Sequence, residues 1–494
     1  MNRQQRRAKG GSGGTTSGGK HSATLKLARD MTRRGFNAEA GNLYRQILQE
    51  DPDNFVALLD LGIAAVERLD IEGAAPYLAR VAALDPRNPW GLIGLAIVRM
   101  EQGDMAAAVK LADKCHRLEC PPQVLTKLGM LYKEAGQLDR ARQCLRQALV
   151  KKPDFVMAWF NLQGLKKFTA GDSDIARLQD IAAKADTLPA HERIHLQFTL
   201  GKALVDSGDA EKGFAHFAEG NRLKRATFTY DVKTFEDYAG KLIAEFDEGL
   251  VRALRGKVTV KSDRPVFVVG LLRSGSTLVD QILSSHPDVA SLGEAKYLQE
   301  CMTAVPDVEM QPTAETLDEV ARKYLAATEP FTQGKKRVVD KMLFNFMRLG
   351  VARLAFPGAR VIRCLRDPAD VGLSIWSTLF AANIPWAYDQ AEIARYALAY
   401  EKLMQHWHRL FPGEIYDVRY ETMVADQEAQ TRQLLDFCGL PFDDRCLAFY
   451  KNERRVSTAS DVQVRQPMYG DSVKKWKKYE KYLGTMIETL GAQK

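Results

Sequence analysis

The sequence has no hydrophobic stretch long enough to cross a bilayer, and no apolar segment of the secretory-signal kind follows its first residues. This argues against a membrane-spanning or exported chain and leads to the expectation of a soluble, cytoplasmic protein. Cysteine is sparse: seven among 494 residues, at 115, 120, 144, 301, 364, 438 and 446, odd in number and without a CxxC pair. A disulfide framework and a cysteine-rich metal site are therefore disfavoured against buried free thiols. Acidic residues are missing from the first 29 positions, which hold seven Lys/Arg, so the formal charge of +8 leaves only +1 for the rest of the chain. Arg3, Arg6, Arg7 and Lys9 precede a Gly/Ser/Thr run at 10–19. Residues 1–21 thus read as a disordered, solvated basic tail rather than a nucleic-acid-binding or membrane-binding arm.

What is present first is a repeat. Ala28/Ala40/Pro52, Gly62/Ala74/Pro86, Ala96/Ala108/Cys120 and Gly129/Ala141/Pro153 set small residues twelve apart in registers spaced 33 or 34 residues. Gly164/Ala176 and Gly201/Gly213 extend the pattern more loosely. Small side chains allow two helices of a unit to approach closely, and Pro after Asp51, Asp85 or Lys152 ends the second helix. This is the tetratricopeptide pattern, and it predicts an all-α solenoid over 22–225 and a helical connector over 226–262. Such an array binds a peptide on its concave face, or stabilises or dimerises the chain.

The second half is marked by one missing lysine. Gly270-Leu-Leu-Arg-Ser-Gly-Ser-Thr277 follows the apolar run 266–269 and precedes the amphipathic 278–283, a strand, glycine turn and helix start suited to holding a phosphate. The loop fits Walker A except that Ser276 stands where the lysine belongs. Without that charge, phosphoryl transfer from a triphosphate loses a principal stabiliser. Arg273, Ser274, Gly275, Ser276 and Thr277 instead offer one guanidinium, hydroxyls and amides to a less charged oxyanion.

Three more apolar runs have strand character: 338–339, 361–365 and 415–418. Helical segments between them imply an α/β domain over 263–494, its parallel sheet covered on both faces and its ligand beyond the carboxyl ends of the strands. Asp340 and Lys341 follow one such end, and Arg366-Asp-Pro with Ser374 follows another. Arg366 and Ser374 could grip one phosphate from two sides. Asp367 and Asp370 read as caps of the helix after Pro368 rather than as metal ligands.

Residues 263–482 resemble the sulfotransferases that use 3′-phosphoadenosine 5′-phosphosulfate (PAPS), nearest the protein-tyrosine sulfotransferase branch in its form fused to tetratricopeptide repeats. The resemblance implies the sulfotransferase fold, a P-loop-like site and PAPS as donor with no metal. By position it makes the loop from Arg273 to Thr277 the 5′-phosphate cradle, and Arg366 and Ser374 the 3′-phosphate grip. Tyr420, in Val-Arg-Tyr-Glu, would belong to the nucleotide site. Glu294, in Gly-Glu-Ala-Lys, would act as base, with Lys341 on the transferring group and Arg273 on the 5′-phosphate. Ser460, seven before Pro467, would reach the sulfate, and Lys475, before Trp476, the nucleotide.

Leu272 and Ser276 depart mildly from the family's loop. Thr378 stands where the eukaryotic tyrosine enzymes carry a further arginine, and Lys296 replaces an arginine that orients the peptide. The expected reaction is sulfuryl transfer to a hydroxyl acceptor, with a peptide tyrosine delivered by the repeats in view. A carbohydrate or small-molecule hydroxyl, a P-loop nucleotide kinase or NTPase, and an inactive peptide-binding adaptor remain alternatives. Trp376, Trp386 and Tyr388 read as core before acceptor pocket, and 301–335, with Pro306, Pro312 and Pro330 around a helix at 313–328, as candidate lid material.

Overall fold

The computed structural model describes residues 21–491 apart from 69, 333 and 457, so the tail expected at 1–21 lies outside the described residues except for His21. The chain divides into two compact units, 1–158 and 159–494.

The first unit is four helical hairpins: α1 (Ser22–Arg33) with α2 (Asn37–Glu50), α3 (Phe55–Glu67) with α4 (Ile71–Leu84), α5 (Pro89–Glu101) with α6 (Met105–His116), and α7 (Pro122–Glu134) with α8 (Leu138–Lys151). Asn54, Asp70, Asn88 and Asp104 cap α3 to α6 through side-chain oxygens that accept backbone N–H groups. Asp51, Asp85 and Lys152 close α2, α4 and α8 in nearly one conformation, φ −137, −136 and −138°. Each precedes a proline, which bars the helical region to the residue before it. The small residues sit where the helices cross: Ala28, Ala74, Ala96, Ala108 and Ala141 are fully buried, and a methyl on Gly62 would meet Leu78 Cγ at 2.7 Å.

Helices α9 (Val156–Gln163) and α10 (Ser173–Ala182) lead into the second unit. Gly164 and Ala176 are exposed, so the loose register expected there makes no helix crossing. Gly201 and Gly213 do form one, between α11 (Ala190–Ser207) and α12 (Ala210–Arg225), where a methyl on Gly201 would lie 2.6 Å from Phe217. This hairpin shares the core of the second unit: Phe214 stacks on Tyr482 at 4.4 Å, and Asn221 Nδ2 donates to Trp376 O at 2.9 Å. Helices α13 (Lys233–Glu245) and α14 (Glu248–Leu254) complete the approach to the sheet.

Five parallel strands follow: β1 (Pro265–Gly270), β2 (Val289–Gly293), β3 (Arg337–Asp340), β4 (Arg360–Leu365) and β5 (Ile415–Arg419), in the order β2-β3-β1-β4-β5. Central β1 is buried throughout. Phe267 and Val269 enter the core on one face, Val266 and Val268 that on the other. Edge strand β2 escapes the sequence reading because Val289-Ala-Ser-Leu-Gly293 is short and only half covered. One other expectation changes and one holds. Residues 314–332 form one helix, with Pro330 in its last turn and Leu317, Val320, Ala321 and Tyr324 in the core, so this stretch is not a lid. Trp376, Trp386 and Tyr388 are core residues, Trp386 stacked on Tyr396 at 3.9 Å.

Gly129 sets two effects against each other. Alanine gains about 1 kcal/mol in helix propensity, whereas overpacking costs about 1–3 kcal/mol. A methyl there would meet Leu145 Cγ at 2.8 Å and Ala141 O at 3.2 Å, so overpacking wins. Gly129→Ala is therefore expected to lower the unfolding midpoint in urea; an unchanged or raised midpoint contradicts the close crossing of α7 and α8.

Candidate active site

The loop from Gly270 to Thr277 leaves β1 and enters α15 (Ser276–Ser284). Gly275 has φ +97°, and a side chain there would press Tyr420 Cδ2 at 2.9 Å, so only glycine fits. Arg273 also has positive φ, +66°, which costs a non-glycine residue about 1–2 kcal/mol. Its guanidinium offsets that cost. Nε donates to Ser374 Oγ at 2.9 Å, Nη1 to Ser460 Oγ, and Nη2 to Gln463 Oε1 at 3.0 Å. No carboxylate pairs with Arg273 among the described residues. Burial, then repulsion by Arg366, pushes its pKa down to about 10.

No side chain caps α15, so the N–H groups of Ser276 and Thr277 at its first turn are available to an anion. Ser274 is 3% exposed and its Oγ has no hydrogen-bond partner. Buried hydroxyls rarely stay unsatisfied, and this one sits inside the loop. A guanidinium without a carboxylate partner, free helix N–H groups and an orphaned hydroxyl together fit a phosphate.

Arg366 leaves β4 and donates to Arg273 O at 3.1 Å and to Ser472 O at 2.7 Å, while its guanidinium lies 4.8 Å from the Tyr420 ring centroid. Its Nε is buried without a partner. Arg366 and Ser374 therefore meet through Arg273: the backbone oxygen takes one and the guanidinium holds the other. Tyr420 starts the helix after β5 and packs under both loop and Arg366.

Glu294 and Lys341 follow β2 and β3, adjacent strands, and their side chains join: Lys341 Nζ donates to Glu294 Oε1 at 2.6 Å. Lys341 is 1% exposed and Glu294 43%, so a buried ammonium rests on a carboxylate that solvent or an acceptor reaches. The preceding Asp340 is wholly buried and accepts from Met342 N, Asn345 Nδ2 and Tyr324 OH, each at 3.1 Å. Burial raises its pKa to about 7 despite those bonds.

Residues 452–482 cross the site as a strap with short 3₁₀ turns and no strand. Arg454 ties its start to α15, donating to buried Asp280 and to Gln281 Oε1 at 3.1 Å. Asp370 ties its far end, accepting from the N–H groups of Lys474 at 2.7 Å and Trp476 at 2.8 Å. Asp367 caps its helix as expected, whereas Asp370 holds the strap instead of capping. Lys475 lies on the surface of this segment, among the exposed lysines 474, 477, 478 and 481. Gln463, Ser472, Arg454 and Asp280 had no signal in the sequence, because each acts across 90 or more residues of chain.

A parallel sheet with an anion loop at its carboxyl edge defines a phosphate-binding α/β domain, and the missing loop lysine separates it from the ordinary NTPases. Comparison with known proteins shows what each half resembles. Residues 265–444 match the sulfotransferase family, and 25–89, 59–115 and 126–162 match the tetratricopeptide repeat. The chain thus carries stretches similar to tetratricopeptide repeats followed by one similar to the sulfotransferase family. An Aquifex aeolicus relative named "Uncharacterized protein" is 29% identical over 501 residues; the match covers 95% of this chain and 65% of the relative's length. A Caenorhabditis briggsae relative, named "Putative protein-tyrosine sulfotransferase", is 23% identical over 192 residues, 37% of this chain and 68% of its own. Among solved structures, the sulfotransferase domain of the Synechococcus PCC 7002 olefin synthase overlaps 48% of this chain and 98% of its own at 22% identity and TM-score 0.36. Among the described residues no helix is long and apolar enough to cross a membrane, and all seven cysteines are buried and free of disulfides.

The raised pKa of Asp340 predicts a pH effect on stability. The unfolded carboxyl ionises near the ordinary value of about 4, the folded one at about 7. Between these the unfolded state holds fewer protons, so stability falls as pH rises through this window and levels above it. Asp340→Asn is expected to flatten that fall, read as urea midpoints at pH 5 and pH 8; the same pH dependence in both proteins contradicts the burial argument.

Proposed function

We propose that this chain transfers a sulfuryl group from PAPS to a hydroxyl acceptor, with a peptide tyrosine as the acceptor the resemblance favours. The observation that carries the reading is the pairing of two features at one sheet edge: a phosphate loop without its lysine, and the joined Glu294 and Lys341. PAPS, when bound, supplies an activated sulfuryl group on a phosphate leaving group.

In this reading the chain's own residues divide the work. The loop N–H groups, Ser274, Ser276, Thr277 and Arg273 hold the 5′-phosphate and stabilise charge on the departing oxygen. Arg366 and Ser374 take the 3′-phosphate, with Tyr420 and Lys475 completing the nucleotide site. Glu294 removes the proton of the acceptor hydroxyl. Lys341 presents its ammonium to the group in flight, and Ser460 donates from the strap. Arg273 and Arg366 are engaged by strap oxygens of Ser460, Gln463 and Ser472, and a bound nucleotide would exchange these for phosphate oxygens. The group in flight carries less charge than a phosphoryl dianion, so this reading calls for no metal. The tetratricopeptide repeats would bring a protein acceptor to the domain.

Calorimetry with 3′-phosphoadenosine 5′-phosphate, with ATP as the control, tests the donor class: micromolar binding that requires the 3′-phosphate is expected, and a preference for ATP sinks it. Glu294 should be replaced by Gln rather than Ala, since its loss strands the buried Lys341 ammonium, at a cost of about 3–5 kcal/mol. Glu294→Gln is expected to lower turnover by roughly 10²–10⁴-fold with nucleotide affinity kept. Arg366→Ala is expected to weaken nucleotide binding by about tenfold or more. Parent-rate turnover in Glu294→Gln removes that residue as the base. Mass spectrometry of tyrosine peptides, saccharides and small phenols incubated with PAPS identifies the acceptor.

A further inference from the structure

A cavity of about 410 Å³ opens at the other end of the sheet from the loop, and no step of the proposed transfer uses it. Six of its lining residues matter: Arg255, Arg353, Arg360, Phe411, Glu414 and Phe437. Arg360 is the first residue of β4 and Glu414 immediately precedes β5, whereas Arg366 and Tyr420 lie just past the carboxyl ends of the same strands. Along β4 the two ends stand ~16 Å apart at the usual rise per residue.

The charges in this cavity do not balance. Glu414 serves both Arg255, at 2.6 Å, and Arg353. Arg360 has no carboxylate partner among the described residues; it donates to Phe437 O at 2.7 Å and to Gly358 O at 3.1 Å. Three guanidinium groups and one carboxylate leave a formal +2. The groups are close enough to repel. The pKa of Arg353 is lowered first by burial, an effect Glu414 opposes and Arg255 and Arg360 deepen. Arg255 lies 5.5 Å from the Phe411 ring centroid and Arg360 5.9 Å from that of Phe437; Phe411 is buried and Phe437 stacks on Tyr416, so the rings back the cations.

We infer that this cavity is a binding site for a small phosphate ester, its dianionic phosphate facing Arg360 and Arg255. A dianion cancels the excess of two charges, guanidinium groups suit tetrahedral oxyanions, and the cavity's volume is that of a small-ligand site. A free phosphate would satisfy the charge but fill only part of the cavity.

Calorimetric titration of the full chain with phenyl phosphate, inorganic phosphate and phenol tests this. Phenyl phosphate is expected to bind more tightly than either of the others, and a phenyl phosphate site is expected to persist in Arg273→Ala, which removes the guanidinium of the loop. Arg360→Ala is expected to weaken it about tenfold or more, the loss of one charge-assisted hydrogen bond. Because Arg360 also holds two backbone oxygens, Arg255→Gln, at a half-exposed side chain, provides a second variant with the same expected direction. No binding to the parent protein, affinity unchanged in both cavity variants, or binding lost in Arg273→Ala alone would each overturn the assignment. Inorganic phosphate binding as tightly as the ester would overturn the assignment to an ester.

Discussion

Everything at the carboxyl edge of the sheet turns on the Arg273 guanidinium. No carboxylate pairs with it among the described residues, yet it is drawn into the domain by three neutral oxygens from two distant segments. A carboxylate in their place would make a stronger pair and abolish the site, since an anionic ligand would then have to displace a charge. Neutral acceptors keep the cation ordered and leave its charge to be used. The left-handed backbone of Arg273 belongs to the same arrangement, for it turns the loop so that side chain and helix N–H groups face one region.

The second constraint is the joint between β2 and β3. Parallel pairing with a register shift at Gly293 and Asp340 brings residues 47 apart in sequence to within 2.6 Å. Lys341 is buried and therefore needs its carboxylate partner; Glu294 is accessible and therefore able to meet an acceptor. Asp340 beneath them is held by a backbone N–H, an amide and a phenol, so the turn carrying Lys341 is fixed from below. The strap closes the other side, anchored by Arg454 on buried Asp280 and by Asp370 on two backbone N–H groups.

Much of this was legible in the chain itself. The twelve-residue spacing of small residues marked the hairpins of the first unit because a helix crossing tolerates nothing larger at Gly62 or Gly129. The apolar run before Gly270 marked the central strand because a strand covered on both faces has no polar positions. Local signals failed where the determinant was remote. Edge strand β2 has too little apolar character to announce itself, and residues 301–335 looked like lid material until the apolar stripe of 314–332 was seen in the core. Asp370 looked like a helix cap because its true partners lie 104 and 106 residues away.

The sequence by itself determined the kind of elements, the tetratricopeptide hairpins and the phosphate loop without its lysine, because these follow from periodicity, small residues and glycine over short stretches. It also named the residues that carry charge past the strand ends. Only the tertiary structure decided which of them meet: that Arg366 reaches Ser374 through Arg273, that Glu294 neutralises Lys341, that Gln463 and Ser472 belong to the site, and that two of three clustered arginines share one glutamate at the far end of the sheet. Strand order and the path of residues 452–482 set those meetings, and both come from packing over the whole second unit, which no local pattern encodes.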